Sequence, residues 1–154
     1  MRALDIRPGH QSIQARLGQE LILSREAIEA IQHGVPLTLT LELELRDARD
    51  LTLLADDQRH FVIHYLPLSE HFQLSGLPDE AVESFPRLRH VLAALSGLDL
   101  DFQTGPLAPG SYELRARMRL DSRRLPAPMR LPALLSAGWR HQSEWTTWPF
   151  VINA

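Results

Sequence analysis

The 154 residues carry a formal net charge of −3, with 44% hydrophobic and 23% charged residues, the balance of an ordinary globular domain. Nucleic acid is not an expected partner, because binding to that polyanion normally requires a basic excess. All 16 basic residues are arginines and cysteine is absent. Lysine Schiff bases, thiol catalysis, disulfides and thiolate zinc sites are therefore excluded.

The amino terminus carries no recognisable targeting signal. Residues 1–7 lack the apolar core of a signal peptide, and no apolar run approaches the roughly 20 residues of a membrane span. Residues 1–11 are predicted to be a flexible segment ahead of one β-rich domain at 12–152. A cytoplasmic location is expected unless an export segment precedes Met1.

The first elements are a strand and a short helix. Alternation over 12–17 predicts the strand, in which Ile13, Ala15 and Leu17 point inward. Ser24 is placed to cap a helix with Ala27, Ile28 and Ile31 on one face, and Gly34 suits the position after its last turn.

The stretch 36–46 gives the strongest structural signal. Its leucines alternate with polar residues, and a helix would spread them around its whole circumference: Leu37, Leu39, Leu41, Leu43 and Leu45. A long strand with one buried and one wet face is predicted.

A hairpin is predicted to follow. Residues 47–57 contain clustered acids and indicate a strand end, a loop and at most a short strand. Residues 59–66 alternate again, 67–70 form a plausible turn, and Phe72 and Leu74 resume the apolar face.

The second half is predicted to contain one helix and two strands. Ser84 is placed to cap the helix, which Gly97 ends. Residues 112–120 form the next strand, 122–141 a proline-rich connection, and 142–152 a final aromatic strand. The pattern predicts a mainly β (α+β) fold, an antiparallel, sandwich-like domain with two short covering helices.

Histidines and paired carboxylates are the first candidates for a chemical site. His60, His64 and His71 would share one face of the hairpin, but the ligand set is incomplete and no metal is expected. Asp56-Asp57 and Asp99-x-Asp101 look like turn residues. No catalytic or phosphate-binding motif occurs, so neither catalytic residues nor cofactors are predicted.

An arginine row, Arg115, Arg117 and Arg119, is the candidate anion contact, suited to a phosphate or carboxylate ligand. The competing and favoured interpretation is cross-strand pairing with Glu42 and Glu44, which have the same spacing.

The connection 126–139 is the candidate partner or ligand surface. Three prolines prevent it from joining a sheet as an interior strand. Its apolar residues either close the open end of the sheet or form an exposed patch: Met129, Leu131, Leu134, Leu135 and Trp139.

Several motifs together resemble an uncharacterised proteobacterial family, sometimes labelled proline-rich signal-peptide proteins. They are Gly34-Val35-Pro36-Leu37, Tyr65-x-Pro67-Leu68, Tyr112 through Arg119-Leu120-Asp121-Ser122 to Leu125-Pro126-x-Pro128, and Ser143-x-Trp145. The resemblance spans roughly 12–150. It implies an export or anchor segment and genes near a membrane sensor kinase with a nitrogen-regulation-type response regulator; it assigns no catalytic residues.

These observations favour a non-enzymatic, envelope-associated domain that binds another protein, such as the extracytoplasmic part of a sensor kinase in signal transduction. The location would be periplasmic if an export segment precedes Met1. The alternative is a small-ligand or lipid-binding β-sandwich module with its site under 126–139.

Overall fold

The computed structural model describes residues 1–77, 81–126, 128 and 144–153, without the side chain of Leu4. These residues form nine strands and two helices: β1 (Arg2–Pro8), β2 (Ser12–Gly18), α1 (Arg25–Gln32), β3 (Leu37–Asp47), β4 (Leu53–Leu66), β5 (His71–Ser75), β6 (Glu83–Phe85), α2 (Leu88–Leu95), β7 (Gly97–Gln103), β8 (Gly110–Leu120) and β9 (Thr146–Ile152). A single 3-10 turn covers Ser122–Arg124.

The strands form two antiparallel sheets. One sheet has the order β1-β2-β7, and the other has the order β6-β5-β4-β3-β8-β9. Together they make a curled, sandwich-like arrangement with two short helices, which confirms the predicted fold class. Neither helix in the described part is long and apolar enough to cross a membrane.

The leucine strand β3 is the centre of the larger sheet. It pairs with β4 on one side and β8 on the other. All five predicted leucines are buried, and the facing residues of β8, among them Leu114, Ala116 and Met118, continue the same apolar layer. The period-2 prediction for this strand is confirmed.

The smaller sheet supplies the opposite wall of the core. Ile13, Ala15 and Leu17 of β2 are buried, as predicted. The adjacent strand β7 was not predicted, and interpreting Asp99 and Asp101 as turn residues was wrong. Both lie on the exposed face of β7, because Leu98, Leu100 and Phe102 alternate with them into the core.

Helix α1 forms as predicted. The Ser24 hydroxyl accepts a hydrogen bond from the Ala27 N–H at 3.2 Å, and Ala27, Ala30 and Ile31 are buried. Gly34 follows with a φ of +87°, a conformation that glycine adopts without a Cβ clash.

The second helix starts later than predicted. Ser84 lies in β6, opposite Gln73, four residues before the first helical residue, so it is not the N-cap. Helix α2 begins at Leu88 after Arg87, and it buries Val91 and Leu95.

The hairpin of β4 and β5 has the predicted register, with Leu66 opposite His71. However, β4 begins at Leu53, so residues 53–58 are strand rather than loop. Asp56 and Asp57 pair with Glu44 and Leu43 in the β3 ladder, which outweighs the low strand propensity of aspartate.

Both ends of the chain belong to sheets. Residues 2–8 were predicted to be flexible, but β1 pairs antiparallel with β2, Ile6 lying opposite Ala15, and Ile6 packs against the core. The predicted final strand is present as β9, where the Phe150 ring stacks on Tyr112 at 5.7 Å between centroids. Residues 142–143 lie outside the described residues.

Gly76 provides a test of the hairpin geometry. A Cβ built at Gly76 would lie 2.0 Å from the His60 carbonyl oxygen, and φ is +95°. Gly105 has a φ of +75° with nothing within 4 Å of its Cβ position. We expect Gly105→Ala to cost about 1–2 kcal/mol from backbone strain alone. Gly76→Ala should cost clearly more, because the clash is with rigid main chain.

Urea unfolding of both variants measures the difference. Equal losses of stability in the two variants would contradict the close approach of Gly76 to β4.

Candidate functional site

The arginine row lies on the outer face of β8, directly opposite the polar face of β3. In the register, Arg115 faces Glu44, Arg117 faces Glu42, and Arg119 faces Thr40. This arrangement confirms the cross-strand interpretation of the two charged stripes.

The Glu42 carboxylate bridges two arginines. Its Oε2 accepts from Arg117 Nε and its Oε1 accepts from Arg119 Nε at 3.1 Å, while Arg115 contacts Glu44 at 3.3 Å. Burial raises the pKa of Glu42, but the hydrogen bonds and charges of Arg117 and Arg119 outweigh burial and hold the pKa below its ordinary value. An external anion would therefore have to compete with carboxylates that are already in place. Arg115, Arg117 and Arg119 remain a predicted anion contact.

Trp145 covers part of the row. The guanidinium carbons of Arg115 and Arg117 lie 5.0 and 4.5 Å from the centroid of its ring, a cation–π geometry. Sequence reasoning placed Trp145 in an aromatic strand but missed this contact, which depends on the pairing of β8 with β9.

Asp121 is the centre of a second group of ion pairs, just past the end of β8. It is only 4% exposed. Its carboxylate contacts Arg119 Nη1 at 3.3 Å and Arg124 Nε at 3.4 Å, and accepts the Arg123 main-chain N–H at 3.2 Å. Asp121 thereby fastens the turn Ser122–Arg124 to the sheet.

A hydrogen-bond chain connects Asp121 to His60. The Thr40 hydroxyl donates to Asp121 Oδ2 at 3.4 Å and lies 2.9 Å from His60 Nδ1, while Arg124 Nη2 lies 3.3 Å from His60 Nε2. Arg124 can only donate, so His60 Nε2 accepts and Nδ1 carries the proton. Thr38 and Thr40 are buried, so the face predicted to be wet is covered at this end.

The chemistry of this cluster is structural. Thr40 is fully buried and Asp121 nearly so, which withholds both from a substrate. Burial raises the pKa of Asp121, but the charges of Arg119 and Arg123 and the Arg123 N–H outweigh burial. The pKa of Asp121 is therefore below its ordinary value, and the carboxylate is ionised. In the described part of the chain, every buried side-chain nitrogen and oxygen has a hydrogen-bond partner.

The register places His60, His64 and His71 on the same outer face of the sheet, as predicted. His64 lies opposite Gln73 and His71 opposite Leu66, while the His60 ring is engaged with Thr40. His71 Nδ1 lies 3.4 Å from Ser84 Oγ. Residues 1–77, 81–126 and 144–153 contain no group of three histidines or carboxylates placed to hold a metal.

The two predicted carboxylate pairs lie on different sheets, and Arg59 connects them, because its Nη2 donates to the Asp101 carbonyl at 2.8 Å. Asp57 binds Arg59 at 2.7 Å, and Asp99 lies 3.6 Å from Arg16. Asp99 and Asp101 line an open groove of about 400 Å³ on the outer face of the smaller sheet.

Three exposed leucines lie where β3 turns into β4. Leu51, Leu53 and Leu54 are 53%, 45% and 42% exposed. We call this group the leucine tip. The register shifts from Leu45–Ala55 to Arg46–Leu53, so Leu54 is the extra residue of a β-bulge.

The turn that carries the leucine tip is held firmly. Leu51 has a φ of +60°, which costs a residue with a Cβ about 1–2 kcal/mol. Its N–H donates to the Asp47 carbonyl at 2.9 Å, and Arg46 Nη1 donates to the Leu51 carbonyl at 2.9 Å. Arg46 is itself bound to Glu44, so the turn is connected to the charged rows of the sheet.

The predicted partner surface belongs to the connection 126–139. Its five residues, Met129, Leu131, Leu134, Leu135 and Trp139, lie outside the described residues. Leu125, just before this stretch, is buried in the core.

The fold and its surfaces define a two-sheet antiparallel β domain whose polar face is a self-paired network of arginines and carboxylates. The chain belongs to the family described as domain of unknown function DUF4390, whose model matches residues 1–149. No match was found among curated proteins or solved structures.

The Glu42 bridge can be tested by a neutral substitution. Glu42→Gln removes the carboxylate that serves both Arg117 and Arg119, and we expect a loss of about 1–3 kcal/mol in the free energy of unfolding. Glu113→Gln is the control. Glu113 lies on β8, on the same face of the sheet as Glu42, and it forms no ion pair in the described part of the chain. Its effect should stay within about 0.5 kcal/mol. Similar effects of both changes in urea unfolding would contradict the bridge.

His60 should make stability depend on pH. Burial, and then the charges of Arg124 and Arg119, hold its pKa below the ordinary value, although Asp121 opposes them. His60 therefore binds a proton more readily in the unfolded chain than in the folded protein. Its contribution to stability is complete above the ordinary pKa of histidine and is lost as the pH falls through the pKa of His60 in the folded protein. The stability advantage of the wild type over His60→Gln should shrink between pH 7 and pH 5. Parallel curves of unfolding free energy would argue against it.

Proposed function

We propose that this protein is a non-enzymatic protein-interaction domain, associated with the cell envelope, whose partner is the extracytoplasmic part of a membrane sensor kinase. The location and the kinase rest on the family resemblance in the sequence motifs. The protein-binding role rests on the leucine tip, defined as Leu51, Leu53 and Leu54.

The leucine tip has two properties of a binding hot spot. Its three leucines lie within four residues of the chain and are all exposed, whereas single exposed apolar residues are normal on any surface. The left-handed Leu51 and its hydrogen bonds hold the group in one conformation. A preformed apolar group loses little conformational entropy on binding, and backbone strain of this kind is concentrated at functional sites.

The interior supports protein binding over the alternative of a ligand-binding module. Large side chains of both sheets, including Phe61, Ile63 and Phe102, are fully buried between them. Polar groups that orient a ligand inside a cavity would have to replace this apolar packing.

The test uses the purified extracytoplasmic domain of the sensor kinase that the family resemblance implies is encoded near this gene. The triple variant Leu51→Ser, Leu53→Ser, Leu54→Ser should weaken binding at least about tenfold. Its melting temperature should stay within a few degrees of wild type, because the leucines contribute little to the core. Leu68→Ser is the matched control, since Leu68 is a lone, fully exposed leucine on another turn.

Two outcomes would contradict the proposal. Wild-type protein that does not bind the kinase domain removes the assigned partner, and unchanged binding by the triple variant removes the leucine tip. A third variant, Met129→Ser with Leu131→Ser, tests in the same assay the partner surface predicted from the sequence.

A further inference from the structure

The first half of β4 lacks a neighbouring strand on the side away from β3. β4 runs Leu53–Leu66, but β5 pairs only with its residues 62–66. In the described part of the chain, no other strand occupies this side of residues 53–61. An unpaired strand edge is a template for a strand of another chain. We propose that residues 54–58, the β4 edge, bind an extended segment of the partner protein by β-augmentation. This rests on the proposed protein-binding function and specifies how the partner is held.

The direction of the main-chain groups follows from Gly76. The His60 carbonyl oxygen lies 2.0 Å from the ideal Cβ position at Gly76, so it points to the β5 side. The ladder with β3 is regular from Ala55 to Ile63, and main-chain groups of alternate residues point to the same side of a strand. The N–H and C=O groups of Asp56 and Gln58 therefore point to the open side.

Side-chain hydrogen bonds at Gln58 agree with this direction. The Gln58 N–H donates to the Asp57 carboxylate at 2.8 Å instead of entering the β3 ladder. Asp57 also accepts from Arg59, whose Nη2 donates to the Asp101 carbonyl of β7 at 2.8 Å. This end of the open side is thus occupied by side chains of the same chain. Next to the leucine tip, the Asp56 main chain has no such cover among the described residues.

The side chains along the β4 edge define the chemistry of the occupant. Edge strands are commonly protected by charged side chains, proline or β-bulges. Residues 53–58, Leu-Leu-Ala-Asp-Asp-Gln, carry two acids and the bulge at Leu54, but neither lysine nor proline, so their charge excludes acidic segments and admits basic ones. Leu53 and Leu54 are exposed, and Asp56 is exposed without an ion pair in the described part. An extended segment with an aliphatic residue beside the leucines and an arginine or lysine beside Asp56 complements both features.

Asp56→Pro tests the main-chain pairing directly. Proline removes the outward N–H and places its ring on the edge, where a strand tolerates it, so the melting temperature should change by only a few degrees. The probe is a capped eight-residue peptide that alternates valine and arginine, measured by fluorescence anisotropy. Asp56→Pro should weaken its binding at least about tenfold, whereas Asp56→Asn, which keeps the N–H, should weaken it only about threefold.

Two controls make the assay decisive. A peptide that alternates valine and glutamate should bind more weakly to wild type, and equal binding would overturn the charge assignment. In wild-type protein, the arginine peptide should slow hydrogen exchange at the Asp56 amide. Unchanged exchange at this amide would overturn the edge as the site, even if Asp56→Pro fails to fold.

The kinase-domain assay separates this inference from the proposed function. If the kinase domain binds Asp56→Pro as well as wild type but loses affinity for the leucine-tip variant, the β4 edge is wrong and the interaction role stands. If wild type does not bind the kinase domain, that partner is wrong, and the peptide assay decides the edge independently. A concentration-dependent dimer in sedimentation velocity that Asp56→Pro abolishes would assign the edge to a second copy of the chain and overturn the partner segment.

Discussion

Burial of the β3 leucines is the interaction on which the rest of the structure depends. Leu37, Leu39, Leu41, Leu43 and Leu45 are all buried in the middle of the six-stranded sheet. Each buried leucine contributes roughly 1.5–3 kcal/mol, so together they are comparable to the whole stability of a small domain, about 5–15 kcal/mol. The register of β3 with β4 and β8 is therefore strongly specified, because a slip of one residue would exchange the leucines for threonines, glutamates and an arginine.

This register also decides the electrostatics of the opposite face. With the leucines inward, Glu42 and Glu44 must lie under the arginines of β8. The resulting pairs, together with Asp121, attach the turn Ser122–Arg124 and the start of β9 to the sheet. The arginine row thus belongs to the structure of the sheet, and its charge is largely compensated from within.

The open and closed sheet edges then determine where another molecule can bind. Helix α2 packs between β5, β6 and β7, and β1 lies near β9. Neither α2 nor β1 lies beside the first half of β4, which is next to the leucine tip. An apolar group and exposed main-chain donors and acceptors are therefore adjacent, and the proposed binding of an extended chain rests on this arrangement.

The sequence by itself determined the elements whose signals are local. The alternation of 37–45 and 112–120, the Ser24 cap and the turn before His71 depend on residues close in the chain. The two charged stripes are also visible locally, although the Glu42–Arg117 pair joins residues 75 positions apart. Tertiary structure decided what needs distant partners. Strand β7 exists because Leu98, Leu100 and Phe102 pair with β2, more than eighty residues away along the chain. Residues 2–8 become a strand for the same reason, and Asp56 and Asp57 are strand residues because β3 pairs with them. The Thr40–Asp121 contact joins residues 81 positions apart. A short, weakly alternating segment becomes a strand only when another strand satisfies its main chain and the core buries its apolar side chains, and neither condition is local in sequence.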